Sequence, residues 1–238
     1  MFRKSFLVLI ALILAVPLYS QTVDDILAKS QKASGYDVHG KDLTSLKITG
    51  KMSMMGMDMD IIIFNKKPYF KRTEIDIMGS KMITACNETE GWAINPMAGS
   101  SKAEKLPDSI FQKTKDQNDF LSDKWGDYKA KGIKIELLGK ETVNDKECYK
   151  LDVTSKAGDK SLVYLGTADY LPWMMKMNES QMGRDTEVEV YMSDYKNISG
   201  IMIPHTINTK AAGQEMKMTF EKVETNIPMG DDLFSMPK

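Results

Sequence analysis

The chain has 238 residues, 42% of them hydrophobic and 27% charged, with a formal net charge of -1. That length suits one sizeable domain or two small ones, and the composition excludes a disordered or fibrous chain. There is no basic surplus to neutralise phosphates, which excludes nucleic acid as a partner, and two histidines and two cysteines leave little material for a metal centre or a His-based catalytic site, whereas 19 methionines are an unusual count.

Residues 1–20 read as a secretory signal, in which Arg3 and Lys4 precede an apolar stretch from Phe6 to Val16 and small Ser20 precedes a polar chain. The stretch is short for a bilayer span, and no cysteine sits at the cleavage point to carry a lipid anchor. The expectation is cleavage near Ser20, export to the periplasm, and a single soluble, monomeric domain over residues 21–238. An oxidising compartment permits a Cys86–Cys148 disulfide, closing a loop of roughly 60 residues. Two separate buried thiols are the alternative.

Thr22 to Gly35 carries a capping threonine, acids in the first turn and a glycine stop, which predicts a short amphipathic helix. The period then changes to two. Leu46, Ile48, Gly50, Met52 and Met54 alternate with polar residues, Met55-Gly56 interrupts, and Met57, Met59, Ile61 and Ile63 resume the alternation as the second arm of a hairpin. Further strands are predicted over 69–77, 82–86, 91–94, 133–138, 148–154, 161–165, 173–178, 186–195, 203–210 and 215–223. Short turns between them imply an antiparallel meander or barrel, since parallel crossovers would need intervening helices. One segment breaks the pattern: 106–118, with Pro107 and Asp108 ahead of Ile110-Phe111, predicts a short helix, and 119–131 reads as a loop or irregular helix.

Catalytic signatures are scarce, with no phosphate-binding glycine loop, no nucleophile elbow and no histidine pair at metal spacing. The expectation is a protein that is not an enzyme and needs no cofactor. The pairs Met52/Met54, Met57/Met59, Met175/Met177 and Met216/Met218 each share a strand face. They suit either an adaptable apolar lining or, as an alternative function, soft thioether ligation of copper(I).

One block is more specific. Lys67-Pro68-Tyr69-Phe70-Lys71-Arg72, followed by Trp92-Ala93-Ile94-Asn95-Pro96 and a closing Phe234-Ser235-Met236-Pro237, resembles the LolA-like family of periplasmic outer-membrane lipoprotein carriers. That family has a basic-Pro step opening a strand, a Trp-x-x-Asn-Pro hairpin and a terminal Phe-x-x-Pro strand. The resemblance implies a mainly β fold, an incomplete, strongly curved antiparallel β-barrel with a helical lid and an N-terminal helix. It also implies a carrier that takes acyl chains of lipoproteins or lipids from an inner-membrane release complex to an outer-membrane acceptor. On this reading Ile48, Met52, Met54, Met59, Ile61, Ile63, Ile75, Ile77 and Trp92 line the acyl-chain trough. Ile110, Phe111, Phe120 and Leu121 form the lid. The family places an arginine before the proline as the lid switch; here that residue is Lys67, which cannot make a forked contact, so Arg72 is a second candidate. A non-catalytic envelope interaction module, docking its apolar sheet face on a partner protein, is a further alternative.

Overall fold

A computed structural model describes residues 21–117, 125–181 and 184–237. The expected signal over 1–20 lies outside the described residues, as do Phe120 and Leu121. Helix α1 (Val23–Ser34) begins at a reciprocal cap: the Thr22 hydroxyl accepts from the Asp25 amide, and the Asp25 carboxylate accepts from the Thr22 amide. It ends at Gly35, whose φ of 77° and whose contact with the Gly200 backbone leave no room for a side chain. A one-turn helix, α2 (Tyr36–His39), follows directly and is not signalled by any periodicity.

Thirteen strands make one antiparallel sheet. They are β1 (Ser45–Met54), β2 (Met57–Lys66), β3 (Phe70–Ile77), β4 (Ser80–Cys86), β5 (Gly91–Asn95), β6 (Ser100–Lys105), β7 (Lys134–Val143), β8 (Lys146–Thr154), β9 (Lys160–Gly166), β10 (Pro172–Gln181), β11 (Arg184–Ile198), β12 (Ile201–Ala211) and β13 (Gln214–Thr225). Every predicted strand is present. The additional one, β6, has the polar sequence Ser-Ser-Lys-Ala-Glu-Lys and no apolar alternation to announce it. Met55-Gly56 and Met78-Gly79 both hold positive φ at two successive residues, the geometry of two-residue hairpins whose twist matches the strands they join.

The strand order is β6-β5-β4-β3-β2-β1-β13-β12-β11-β10-β9-β8-β7. Strands consecutive in sequence are paired in space, except that β6 and β7 are not, and β1 in addition pairs with β13. The two edges, β6 and β7, are consecutive in the chain, and the connection between them carries helix α3 (Asp108–Gln117). The sheet is therefore an open half-barrel with the helical segment leading from one edge to the other, as expected.

Residues directly opposite one another in antiparallel strands share a face. One such row runs Met57–Met54–Met216–Thr209–Val190–Met175–Val163–Leu151–Leu137, from β2 to β7. This face carries both major apolar clusters and is termed the inner face. On one arm Ile26 and Leu27 of α1 pack on Tyr149, Leu151, Val163 and Leu165. On the other, Leu46, Ile48, Met52, Met59, Ile61, Ile63, Ile75, Ile201, Ile203, Ile207 and Phe220 form a buried cluster joined by Leu43 and, half-buried, by Tyr36 of α2. His205 belongs to this face and is buried, with Nδ1 3.0 Å from the Ile203 carbonyl.

The opposite, outer face of β3–β5 receives the C-terminal segment. Phe234 is fully buried, edge-on to Phe70 at 5.4 Å, and its carbonyl accepts from Trp92 Nε1 at 2.9 Å. Arg72 donates to the Leu233 carbonyl at 3.0 Å and to Glu74 at 2.7 Å, with its guanidinium over the Trp92 ring. The expected terminal Phe-x-x-Pro strand is instead a 3-10 turn over Asp231–Phe234, because side-chain and carbonyl contacts to Arg72 and Trp92, not a strand ladder, hold it. Of the two alternatives for Cys86 and Cys148, the disulfide is not formed and both are separate buried thiols. Cys86, opposite Lys71 and Gly91, lies on the inner face of β4. Cys148, opposite Gly166 and adjacent to inner-face Tyr149, lies on the outer face of β8, on the other arm of the sheet.

Two outcomes follow. Burial pushes the Glu74 carboxyl up, but the bonds and charges of Arg72 and Lys81 outweigh it and hold its pKa below the ordinary 4.5. A depressed carboxylate stabilises the fold above its unfolded pKa and loses that contribution as pH falls through the folded value. Glu74→Gln is expected to cost about 1–2 kcal/mol at neutral pH, measured by urea unfolding, with the gap to the parent protein closing below about pH 4.5. Phe234→Ala is expected to cost about 3–5 kcal/mol by the same measurement, because it empties a fully buried ring site.

Candidate functional site

The inner face is the candidate binding surface. Of the nine residues expected to line it, Ile48, Met52, Met59, Ile61, Ile63 and Ile75 are buried in its main cluster, and Met54 and Ile77 pack half-buried against that cluster. The ninth, Trp92, is not on this face. Rows Ile61–Ile75–Met82 and Ile83–Ile94 have opposite parity on β4, and Trp92 shares the parity of Ile94. Trp92 therefore points outward, where it packs with Ile83 and Ala85 beneath the C-terminal segment. The motif that flagged it is structural, since its indole anchors the chain end.

Strand parity on β12 and β13 supplies what the list omitted. Ile201, Ile203, Ile207 and Phe220 are buried on the inner face, with Met192, Val190, Met216 and Met218 packed against them. The alternation Ile201, Ile203, His205, Ile207 was legible as a half-buried strand. What placed it against β1 was the pairing of the first and last strands, a long-range contact no local pattern encodes.

Toward β6 the inner face turns polar. The row Ile48–Ile63–Thr73–Thr84–Ala93–Glu104 passes from branched aliphatics to a carboxylate. A cleft of about 350 Å³ lies at that edge, lined by Ala93, Asn95, Ala98, Gly99, Ser100, Glu104, Lys105, Leu106 and Pro107. It lies at the low end of small-molecule pockets, and Asn95, Ser100, Glu104 and Lys105 make its lining more polar than the largely apolar wall an acyl chain needs.

Helix α3 borders the same face. Phe111 is 7% exposed and packs on Gly91, where an added Cβ would meet the ring at 3.0 Å, while Lys71 Nζ donates to the Thr114 carbonyl at 3.0 Å. Ile110 is 46% exposed and points away. Of the two described lid residues, then, Phe111 turns inward and Ile110 does not. The two switch candidates separate as well. Lys67 Nζ donates to the Gly40 carbonyl at 2.8 Å and so ties the end of β2 to the end of α2, through one hydrogen bond and not the forked pair a guanidinium can make. Arg72 faces outward and holds the C-terminal segment, on the side of the sheet opposite to α1 and α2.

On the α1 side, the first turn is fixed to the segment before β7: Tyr128 Oη and Lys129 Nζ both donate to Asp24, each at 2.8 Å. Tyr149, on the inner face, stacks with Tyr170 at 5.8 Å, and burial followed by its bond to Tyr170 pushes its phenol up to about 12. These contacts fix α1 over β8 and β9. They offer no reactive group, since a phenol raised so far stays protonated. The Cys148 thiol is likewise raised, first by burial and then by Asp169, which disfavours the nucleophilic thiolate. Among the described residues no group of three or more His, Cys, Asp or Glu side chains could hold a metal ion, and no helix is long and apolar enough to cross a membrane.

Three solved structures are similar in fold. A LolA superfamily protein from Nitrosomonas europaea is 16% identical, covers 91% of this chain and 98% of its own, and superposes with a TM-score of 0.58. A protein described as an outer membrane lipoprotein-sorting domain from Vibrio parahaemolyticus is 14% identical, with 87% and 95% coverage and a TM-score of 0.58. A DUF1329 family protein from Desulfovibrio piger is 14% identical, with 88% and 97% coverage and a TM-score of 0.59. No curated protein matches the sequence. A family described only as "Uncharacterized protein" matches residues 87–238, well over half of the chain. The chain belongs to that family of uncharacterised proteins and is built on the LolA-like open half-barrel.

Proposed function

We propose that this protein is a non-enzymatic carrier that holds the acyl chains of a lipoprotein or lipid on the inner face of its half-barrel. The observation that carries the reading is the continuous apolar inner face, which runs from β2 to β7 and is faced by α1 and α2 from one side and bordered by α3. Without cargo that face is buried by the sheet's own side chains closing on one another under two short helices, and each acyl methylene admitted there contributes about 0.8 kcal/mol. Methionine suits the task because its unbranched thioether adapts to chains of different shape. The fold shared with the proteins from Nitrosomonas and Vibrio supports the same reading. On it the chain is exported after cleavage near Ser20, works as a monomer in the periplasm, and moves cargo from an inner-membrane release complex to an outer-membrane acceptor.

Buried Ile61, Ile63, Met52 and Met59 close on one another, so loading requires the cover to move and an open state to be within reach of the closed one. Lys67 is the contact proposed to set that balance, through its bond to the end of α2.

Titration of the purified protein with a fluorescent fatty acid is expected to give saturable, one-to-one binding. Met54→Lys and Met218→Lys, at half-buried inner-face positions, are expected to abolish it while leaving the thermal transition cooperative. Binding retained in both folded variants would remove the inner face as the site. Lys67→Ala is expected to speed probe entry in stopped-flow mixing, because the α2 end is released; an unchanged rate would show that Lys67 does not control access.

A further inference from the structure

At the hairpin end of the inner face, two adjacent rows carry methionine on all three of the strands β2, β1 and β13. The first is Met59–Met52–Met218 and the second Met57–Met54–Met216, each crossing β2, β1 and β13 in register. In the next rows the same three strands carry Ile61, Gly50 and Phe220, then Ile63, Ile48 and Val223. Branched and aromatic side chains thus fill the face where filling is all that is needed, and six thioethers are gathered at one corner. Neighbours in such a row have Cβ atoms about 4.5–5.5 Å apart. Three rotatable bonds per side chain let the sulfurs of one row converge on a common point.

From this array we infer a binding site for a soft monovalent cation, copper(I) in chemical class, with silver(I) as its redox-inert equivalent. Thioether sulfur is the donor such ions prefer. The set contains no carboxylate or imidazole, so a hard or divalent ion would gain too little to offset its desolvation in an apolar corner. A graded entry path exists. Met55, in the hairpin turn, is 71% exposed and Met57 is 44% exposed, while Met52 and Met59 below them are 6% and 5% exposed. An ion captured at the tip can pass from the outer row to the inner one without leaving sulfur ligation. The site shares Met52, Met54, Met59 and Met218 with the proposed acyl-chain surface, but it needs only their sulfurs and not a bound acyl chain.

The test uses residues 21–238 with Cys86→Ser and Cys148→Ser, which removes the two thiols as competing donors. Anaerobic titration with copper(I), supplied as its acetonitrile complex against a chromogenic chelator, and a parallel titration with silver(I) read the binding. The expected result is one tight equivalent of either ion and an X-ray absorption spectrum with sulfur alone around copper. Met54→Leu/Met57→Leu/Met216→Leu, which conserves volume and apolarity, is expected to lose that equivalent and to keep the cooperative thermal transition of the parent. Failure of the parent protein to compete with the chelator, nitrogen or oxygen in the copper shell, or undiminished binding in the leucine variant would each overturn the site. Loss of metal together with the cooperative thermal transition in the leucine variant would also overturn it, since the effect would then be on the fold. Because the leucine variant keeps an apolar face, failure of the metal site leaves the carrier reading standing, and failure of the carrier reading shows as absent probe binding in the parent.

Discussion

The structure depends on one constraint: a thirteen-stranded antiparallel sheet whose inner face carries the two largest apolar clusters has to bury that face. Twist and curvature bring its two arms toward each other. The pairing of β1 with β13 fixes the middle of the sheet, and the arms extend to edges at β6 and β7. Helix α1 covers the β8–β9 side through Ile26 and Leu27, and α2 with Leu43 covers part of the other. The helices are added to a sheet that already defines the core. For that reason the helical cover, rather than the strands, is the part that can move at low cost.

The two faces have separate duties. The inner face holds the isoleucines, valines and methionines that make the proposed cargo surface. The outer face of β3–β5 holds the chain end through Trp92, Arg72 and Phe70, using polar bonds to carbonyls that a segment without a strand ladder would otherwise leave unpaired. This division explains why two motif residues that looked functional, Trp92 and Arg72, prove to anchor the C-terminus. Of the two switch candidates it leaves Lys67 as the one bonded to a helical cover element, beside Lys71, whose ammonium donates to the Thr114 carbonyl of α3.

Much of the architecture was legible because period two is a strong signal when one face is buried. The hairpins of β1 through β4 and β7 through β13 are written in alternations such as Leu46, Ile48, Met52 and Ile201, Ile203, Ile207. Strand β6 escaped because an edge strand over a polar cleft needs no apolar alternation. Helix α2 escaped because four residues hold no period. The site was legible where a residue's parity followed from its own strand, as for Ile61 and Met59. It was misread where a motif stood in for parity: Trp92 sits two residues before Ile94, and only the register of β4 with β5 assigns both to the outer face. The three-strand methionine array could not be read from the chain at all, since it requires knowing that β13 returns to lie beside β1.

The central claim is that acyl chains occupy the inner face. Photo-crosslinking with a diazirine-bearing fatty acid, followed by mass spectrometry of the labelled peptides, tests it most directly. The account predicts labels on inner-face residues of β1, β2, β12 and β13, such as Met52, Met59, Ile207 and Met218. Labels confined to outer-face residues such as Tyr164, Met174 and Tyr191, or no saturable labelling, would contradict it.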